Sequence, residues 1–364
     1  MRITDLVSTS RGRAGLAAAL VVVIILAVAG GYALWGGDDS TGPPKATSPA
    51  GDGAVRMDGR APLLGIPTDQ PLNHPAVTVK VSNTPDAHPH RGLGDADIVF
   101  VEPITGATTR LAAIFHSRLP QQVGPVRSLR PMDAPLIGPT KGVIADTMAD
   151  RWVQQYVDQV ADLANLGTLR VPKGTYRIDG SRRAPNHVFA QPAKLLELTD
   201  RTAPPSPYFS YAADTARSTA QRVGRSAESV TVGYGGSATA TWRYDRGSGL
   251  WLRAEGWSAH RLEDGRQVTA QNIIVLRADR DTSFAQARAS MTILDLVDAS
   301  GSLRLFTGDK VVDGRWTKRG VNEPFSYSTM DGRALLLAPG TTWVECVLTG
   351  MEVQVGSRTR VSGP

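Results

Sequence analysis

Cysteine is almost absent from this chain. Cys346 is the single one among 364 residues, so no disulfide can form within the chain, and the usage fits an oxidising compartment. Its setting, Thr-Trp-Val-Glu-Cys-Val-Leu at 342–348, is that of a small buried strand residue rather than a nucleophile. Lysine is scarce as well: 33 of the 40 basic residues are Arg and 7 are Lys. They are scattered, with no run of five or more. The formal charge of +6 therefore forms no dense basic stripe, and no nucleic-acid partner is expected. Hydrolase and nucleotide signatures are missing too: there is no G-x-S-x-G, H-E-x-x-H, P-loop or S-x-x-K. His88-Pro-His90 lacks a recognised metal spacing or nearby supporting carboxylates, so it reads as a solvent-exposed loop, with no metal and no cofactor expected.

What is present begins with an apolar run. Ala14 to Trp35 carries no charge over 22 residues. As a helix it is about 33 Å long, enough to cross a bilayer core. Arg2, Arg11 and Arg13 precede it, and Asp38 and Asp39 follow. The positive-inside rule then puts residues 1–13 in the cytoplasm and everything after 35 outside. The run exceeds a signal-peptide core and no small-x-small cleavage site follows it, so it reads as a retained single-pass anchor in the cell membrane. No cysteine lies near it for lipid attachment. Residues 36–58, rich in Gly, Pro, Ser, Asp and Ala, read as a flexible tether.

The rest divides near residue 203, at the Pro-rich Ala-Pro-Pro-Ser-Pro segment. Residues 59–203 mix strands and helices, an α+β or α/β domain. The alternation of Val77, Val79 and Val81 predicts a strand at 76–82. Apolar runs at 97–101 and 110–115 predict buried strands joined by a turn at 103–109. Val153, Tyr156, Val157, Val160 and Leu163 share one face of a helix predicted over 150–166, with Asp150 as N-cap and Gly167 as its stop. A short helix is predicted after Pro192. Residues 204–360 form a β-rich domain, with strands at 228–234, 238–245, 250–255, 272–278, 303–308, 333–338 and 342–348. Asp-Gly-Arg at 264–266, 313–315 and 331–333 reads as three turns. Five of the seven tryptophans lie in this half and are expected in its core.

The chemistry-bearing feature is a set of arginines in apolar surroundings. Glu102 to Pro131 contains Arg110, Arg118, Arg127 and Arg130. A second cluster, Tyr176 to His187, adds Arg177, Arg182, Arg183, Asn186 and His187. A guanidinium beside apolar strands calls for an anionic partner. That partner is either internal, with Glu102, Asp146 and Asp179 as the carboxylates at hand, or a ligand. Both remain open at this level, since buried networks use the same residues. His187, Asp179 and Ser181 fall within nine residues of one loop, unlike triads assembled from distant segments.

The order of these segments resembles the YerB-like family, bacterial cell-envelope proteins with N- and C-terminal domains of unknown function. The resemblance rests on Pro62-Leu-Leu-Gly65, Asn83, Gly92 to Val99, Glu102, Thr109-Arg-Leu111, Ala113-Ile-Phe115, Gly124 to Pro131 and Ser181-Arg-Arg-Ala-Pro185. In the second half it rests on Trp242 to Asp245, Asn272 to Val275, Gly314-Arg-Trp316 and Pro339 to Trp343. It covers about residues 60–348. It implies an envelope location and a two-domain body, and it supplies no reaction. The family's recurring polar positions fall on Glu102, Arg110, Arg127, Arg130 and Arg182. Three departures stand out. Many relatives are lipoproteins. Relatives often read Pro-His-Asn where this chain has Pro185-Asn-His187. A small Gly-rich segment is replaced by Ala145 to Asp150.

Three readings follow. The first is a membrane-tethered binding module for an anionic envelope component, with Glu102, Arg110, Arg127, Arg130, Arg177, Arg182, Asn186 and His187 as candidate ligand-binding residues. The second is an enzyme on cell-wall or lipid-linked material, with Glu102 as acid or base and the arginines as clamps. The third is a structural partner within an envelope complex. Catalytic residues are not identified.

Overall fold

The short apolar runs become the central strands of one large sheet. The structure, a computed structural model, describes residues 53–236, 238–287 and 291–357. The segment 14–35 read as a membrane anchor, and most of the tether, lie outside the described residues; among the described residues no helix is long and apolar enough to cross a membrane. The last part of that tether is docked: Val55 donates its N–H to Tyr211 O at 2.9 Å.

The first ten strands in chain order are β1 (Val77–Ser82), β2 (Ile98–Ile104), β3 (Thr108–Phe115), β4 (Val143–Ala145), β5 (Ala164–Asn165), β6 (Arg177–Ile178), β7 (Val188–Phe189), β8 (Ser210–Tyr211), β9 (Arg225–Ser226) and β10 (Ser229–Gly233). The second ten are β11 (Thr239–Asp245), β12 (Leu250–Glu255), β13 (Thr269–Ala270), β14 (Asn272–Ala278), β15 (Ala299–Thr307), β16 (Lys310–Lys318), β17 (Ser326–Thr329), β18 (Leu336–Leu337), β19 (Thr342–Leu348) and β20 (Val353–Gly356). Among the described residues four short α-helices accompany them: α1 (Asp133–Ile137), α2 (Arg151–Val160), α3 (Pro192–Leu196) and α4 (Thr219–Val223).

The large sheet runs β17-β16-β15-β14-β19-β2-β3-β1-β4-β5, with β9 paired to β16. Its centre is the parallel pair β19 and β2, in which Trp343 lies beside Val99 and Glu345 beside Val101. Strands from both halves of the sequence therefore share one sheet. A second sheet, β13-β12-β11-β10-β20, covers one face. Successive strand residues point to opposite faces. Val77, Val79, Val81, Val99 and Val101 pack with Trp242, Trp251 and Trp343 of the side bearing the second sheet. Ile98, Phe100, Ala112, Ile114, Val344 and Cys346 pack on the other side with Leu136, Ile137, Val153 and Val157 of α1 and α2. Burial on both faces explains why the central strands read as nearly continuous apolar runs.

The fold is mostly β, and helix is sparser than the sequence pattern suggests. The helix expected over 150–166 stops at Val160, because Ala161 turns extended and residues 164–165 join the sheet beside β4. Gly167 is thus no helix stop. Its lack of a side chain serves a close approach: a Cβ there would stand 2.5 Å from Asp146 Oδ2. The strand expected at 333–338 shrinks to β18. Asp313-Gly-Arg315 is not a turn but the middle of β16. Cross-strand chemistry overrides the turn signal there. Asp313 sits opposite Arg304 and pairs with it at 3.0 Å, and a Cβ on Gly314 would meet Ser328 O of the neighbouring strand at 2.5 Å. The other two Asp-Gly steps are turns, with Gly265 and Gly332 at positive φ.

Candidate functional site

Among the buried polar networks of the described residues, two that contain charged groups lie on opposite faces of the large sheet. The first arises from the strand alternation that buries Phe100 and Ala112. Lys80, Glu102 and Arg110 point to that same face near one end of β1, β2 and β3, with Glu102 directly opposite Arg110. Glu102 nevertheless bonds elsewhere. Lys80 Nζ donates to both of its oxygens at 2.7 Å and lies 2.6 Å from Asp133 Oδ1 at the start of α1. The Asp133 contact is an ion pair without the geometry of a directed hydrogen bond. All three side chains are fully buried.

One ammonium faces two carboxyls here, so a proton is retained. Burial, reinforced by the charge of Asp133, pushes Glu102 up to about 8. Burial and then Asp133 push nearby Asp146 up to about 7. An unfolded chain releases these protons near pH 4, whereas the native protein holds them to pH 7–8. The native state thus binds more protons in that window, and stability falls as pH rises through it. The unfolding free energy from urea titration is expected to drop between pH 6 and pH 8.5, by roughly 2–3 kcal/mol for Glu102, with a matching fall in the urea midpoint, and Glu102→Gln should remove that share. A midpoint rising with pH over the same interval contradicts this assignment.

The loop Gly124-Pro-Val-Arg-Ser-Leu-Arg130 is laid against this end of the sheet by backbone bonds. Val126 N–H donates to Val188 O and Arg127 N–H to Lys80 O, both at 2.8 Å. The register brings three guanidiniums together. Arg110 Nη1 donates to Ser128 O at 3.0 Å and Arg130 Nη1 to Leu129 O at 2.7 Å, while Arg127 Nε is buried with no partner. Among the described residues none of the three forms an ion pair with a carboxylate. Asp133 accepts only the backbone N–H of Arg130, at 2.6 Å. Burial, then the neighbouring Arg130 and Arg127, lowers Arg110 to about 9. Burial also lowers Arg127 and Arg130. The three guanidiniums lie close together without a direct carboxylate partner, and Asp133, Glu102, Asp150 and Asp86 offset their charge only from a distance.

Arg127 and Ser128 open onto a cleft of about 470 Å³. Its walls are apolar, and Leu169, Met148 and Ile178 are 73%, 55% and 56% exposed. Tyr176, whose OH donates to Leu166 O at 2.7 Å, and His187, whose Nδ1 is buried without a partner, line it as well. The Ala145 to Asp150 segment that departs from the family pattern supplies Thr147 and Met148 to the same cleft.

Other candidate residues go elsewhere. Arg177 is exposed on β6. Arg182 donates to Ala87 O at 3.0 Å and Pro89 O at 2.6 Å. Asn186 donates to Asp86 Oδ2 at 2.8 Å. Asp179 accepts from Ser181 Oγ and from Arg91, so it does not orient His187.

The second network lies on the opposite face. Glu345 of β19 accepts from Trp242 Nε1 at 2.8 Å, from Tyr234 OH and, at 3.4 Å, from Arg253 Nε. Arg253 is fully buried, stacks over Trp343 at 5.0 Å and pairs with Glu255. Beside it stand His88, His90 and His260. The reading of His88-Pro-His90 as a solvent-exposed loop is overturned. His90 and His260 are fully buried and His88 half-buried, because residues of the second half close over the loop. His90 Nδ1 and His260 Nε2 are 2.7 Å apart, and the ring of His88 is 4.2 and 4.6 Å from those of His90 and His260. Burial, aided by Arg253 and Arg182, lowers His88 to about 4, and burial holds His90 and His260 well below the usual imidazole range. His260 lies 170 residues from His90, and no local sequence signal connects them.

A mostly β body with strands of both halves in one sheet is a fold shared with a family whose function is unknown. Residues 63–205 match the protein of unknown function (DUF3048) N-terminal domain, and residues 230–344 match its C-terminal domain. The chain belongs to this family. It is 28% identical over 305 residues to "Putative lipoprotein YerB" of Bacillus subtilis (strain 168), covering 79% of this chain and 86% of that protein. The crystal structure of YerB from Bacillus subtilis shares the fold, with a TM-score of 0.70 and 23% identity, over 81% of this chain and 99% of that one.

Proposed function

We propose that this protein is a membrane-tethered, extracytoplasmic binding module that takes an anionic group of a cell-envelope component beside Arg127. The ligand's apolar portion lies over Leu169, Met148 and Ile178. One observation carries the reading: Arg127 Nε is buried without a partner at the edge of the cleft, next to two further arginines whose guanidiniums bond backbone carbonyls and pair directly with no carboxylate among the described residues. Buried donors left unmade are costly, and an arriving carboxylate or phosphate satisfies them with charge-assisted bonds. The apolar run at 14–35 and the name of the Bacillus relative as a lipoprotein both support a place at the membrane. The enzymatic alternative finds less support, because both oxygens of fully buried Glu102 are bound to Lys80.

The test is co-sedimentation of the full-length protein with isolated peptidoglycan sacculi, with and without their phosphate polymers. Arg127→Ala is expected to weaken retention about tenfold or more while the circular dichroism spectrum stays unchanged. Retention equal to wild type in a folded Arg127→Ala variant removes Arg127 from the site.

A further inference from the structure

We propose that His88, His90 and His260 form a binding site for one divalent metal ion of the zinc class, which fastens the 88–90 loop of the first half to the β12–β13 connection of the second. One ligand nitrogen from each ring lies within 4.8 Å of the others.

The hydrogen-bond partners fix which nitrogens are available. His90 Nε2 lies 2.6 Å from Ser82 O, so it carries the proton and Nδ1 keeps its lone pair. His88 Nε2 lies 3.1 Å from Asn83 Oδ1. That oxygen is an acceptor, since Asn83 Nδ2 donates to Thr109 Oγ1 at 2.7 Å, so His88 Nδ1 also keeps its lone pair. An imidazole whose second nitrogen donates to a carbonyl is the usual state of a metal-ligating histidine. His260 Nε2 currently donates to His90 Nδ1, while its Nδ1 accepts from Arg253 Nη1 at 2.8 Å and lies 3.4 Å from Glu255 Oε1. Metal binding moves the His260 proton from Nε2 to Nδ1, where Glu255 accepts it with no net proton release, and Arg253 Nη1, which now donates to Nδ1 at 2.8 Å, turns that N–H away. Arg253 then remains paired with Glu255 and Glu345.

The widest-spaced of the three nitrogens, within 4.8 Å of one another, must draw together, while the closest pair opens slightly. Two nitrogens at about 2.0–2.1 Å from a tetrahedral ion stand roughly 3.3 Å apart, against 2.7 Å between His90 Nδ1 and His260 Nε2. Half-buried His88 is the side chain through which the ion enters, and Trp257 flanks it edge-on at 5.6 Å. Arg182 holds the loop in place through Ala87 O and Pro89 O. Three neutral imidazoles favour zinc, nickel or copper over calcium or magnesium.

The experiment is zinc titration of the full-length protein, free of any polyhistidine tag, with cobalt substitution read by its visible absorption. One ion per chain is expected, and zinc should raise the melting temperature of the wild type. His88→Ala, at the half-buried position, should weaken zinc binding by about 100-fold or more, exceeding the roughly 10–100-fold typical of a lost supporting residue. It should also abolish the thermal shift. His260→Gln serves as the second variant. No stoichiometric zinc, or zinc binding unchanged in folded His88→Ala, overturns the proposal. Because Arg127 lies outside this cluster, Arg127→Ala should leave zinc affinity intact, which separates this result from the fate of the envelope-binding reading.

Discussion

Lys80→Met is expected to lower the unfolding free energy by about 3–5 kcal/mol. The methionine matches the volume of the lysine stem, so packing around β1 is nearly preserved. What is lost is the one cation between Glu102 and Asp133, all three being fully buried. Either a carboxylate stays buried without a counter-charge, or a proton must be taken up, and each route costs free energy at neutral pH. Against a typical total of about 5–15 kcal/mol, this is a large fraction. Adding Glu102→Leu should recover part of it, because an apolar replacement of a buried pair is often tolerated. Urea unfolding at pH 7 measures both. A Lys80→Met protein within about 1 kcal/mol of wild type would mean that water reaches the three groups in solution.

Glu345→Ala is expected to destabilise by a similar amount, about 3–5 kcal/mol, for a different reason. Glu345 accepts from Trp242 of the five-stranded sheet and from Tyr234 just after β10, and it neutralises Arg253. Its removal leaves three buried donors short of partners and a cavity at the contact between the sheets. Arg253 already has one nitrogen, Nη2, without a partner. Since β19 lies between β14 and β2 at the centre of the large sheet, the loss should affect both halves in one cooperative transition. Tryptophan fluorescence and far-ultraviolet circular dichroism should therefore shift together. Separate transitions for the two probes would show that the network holds only its own sheet.

Much of the strand content was legible because apolar runs and alternation are local properties. Residues 250–255, 272–278 and 342–348 form strands over the expected ranges. Cys346 and the tryptophans other than Trp257 in the second half are buried, as small and aromatic residues of a β-rich body should be. The arginines at 110, 127 and 130 were also legible, since guanidinium groups beside apolar strands stand out. Lys80 was not. In an alternating strand a polar residue ordinarily faces water, and only the covering of both sheet faces turns Lys80 inward. His260 was invisible for another reason, since its partner lies 170 residues away.

The sequence alone thus determined many of the strands, the family resemblance of the two halves and the identity of the cationic residues, but not β16 or the extent of β18. Periodicity, turn chemistry and charge are carried by neighbours along the chain. Tertiary structure decided which charges meet. The central β19–β2 pairing places strands of the two halves side by side. It gives Glu102 to Lys80 rather than to Arg110, leaves Arg127 at the cleft without a partner, and closes His260 over His88 and His90. Hydrogen bonds and ion pairs act over about 3 Å, a separation that sequence distance does not encode.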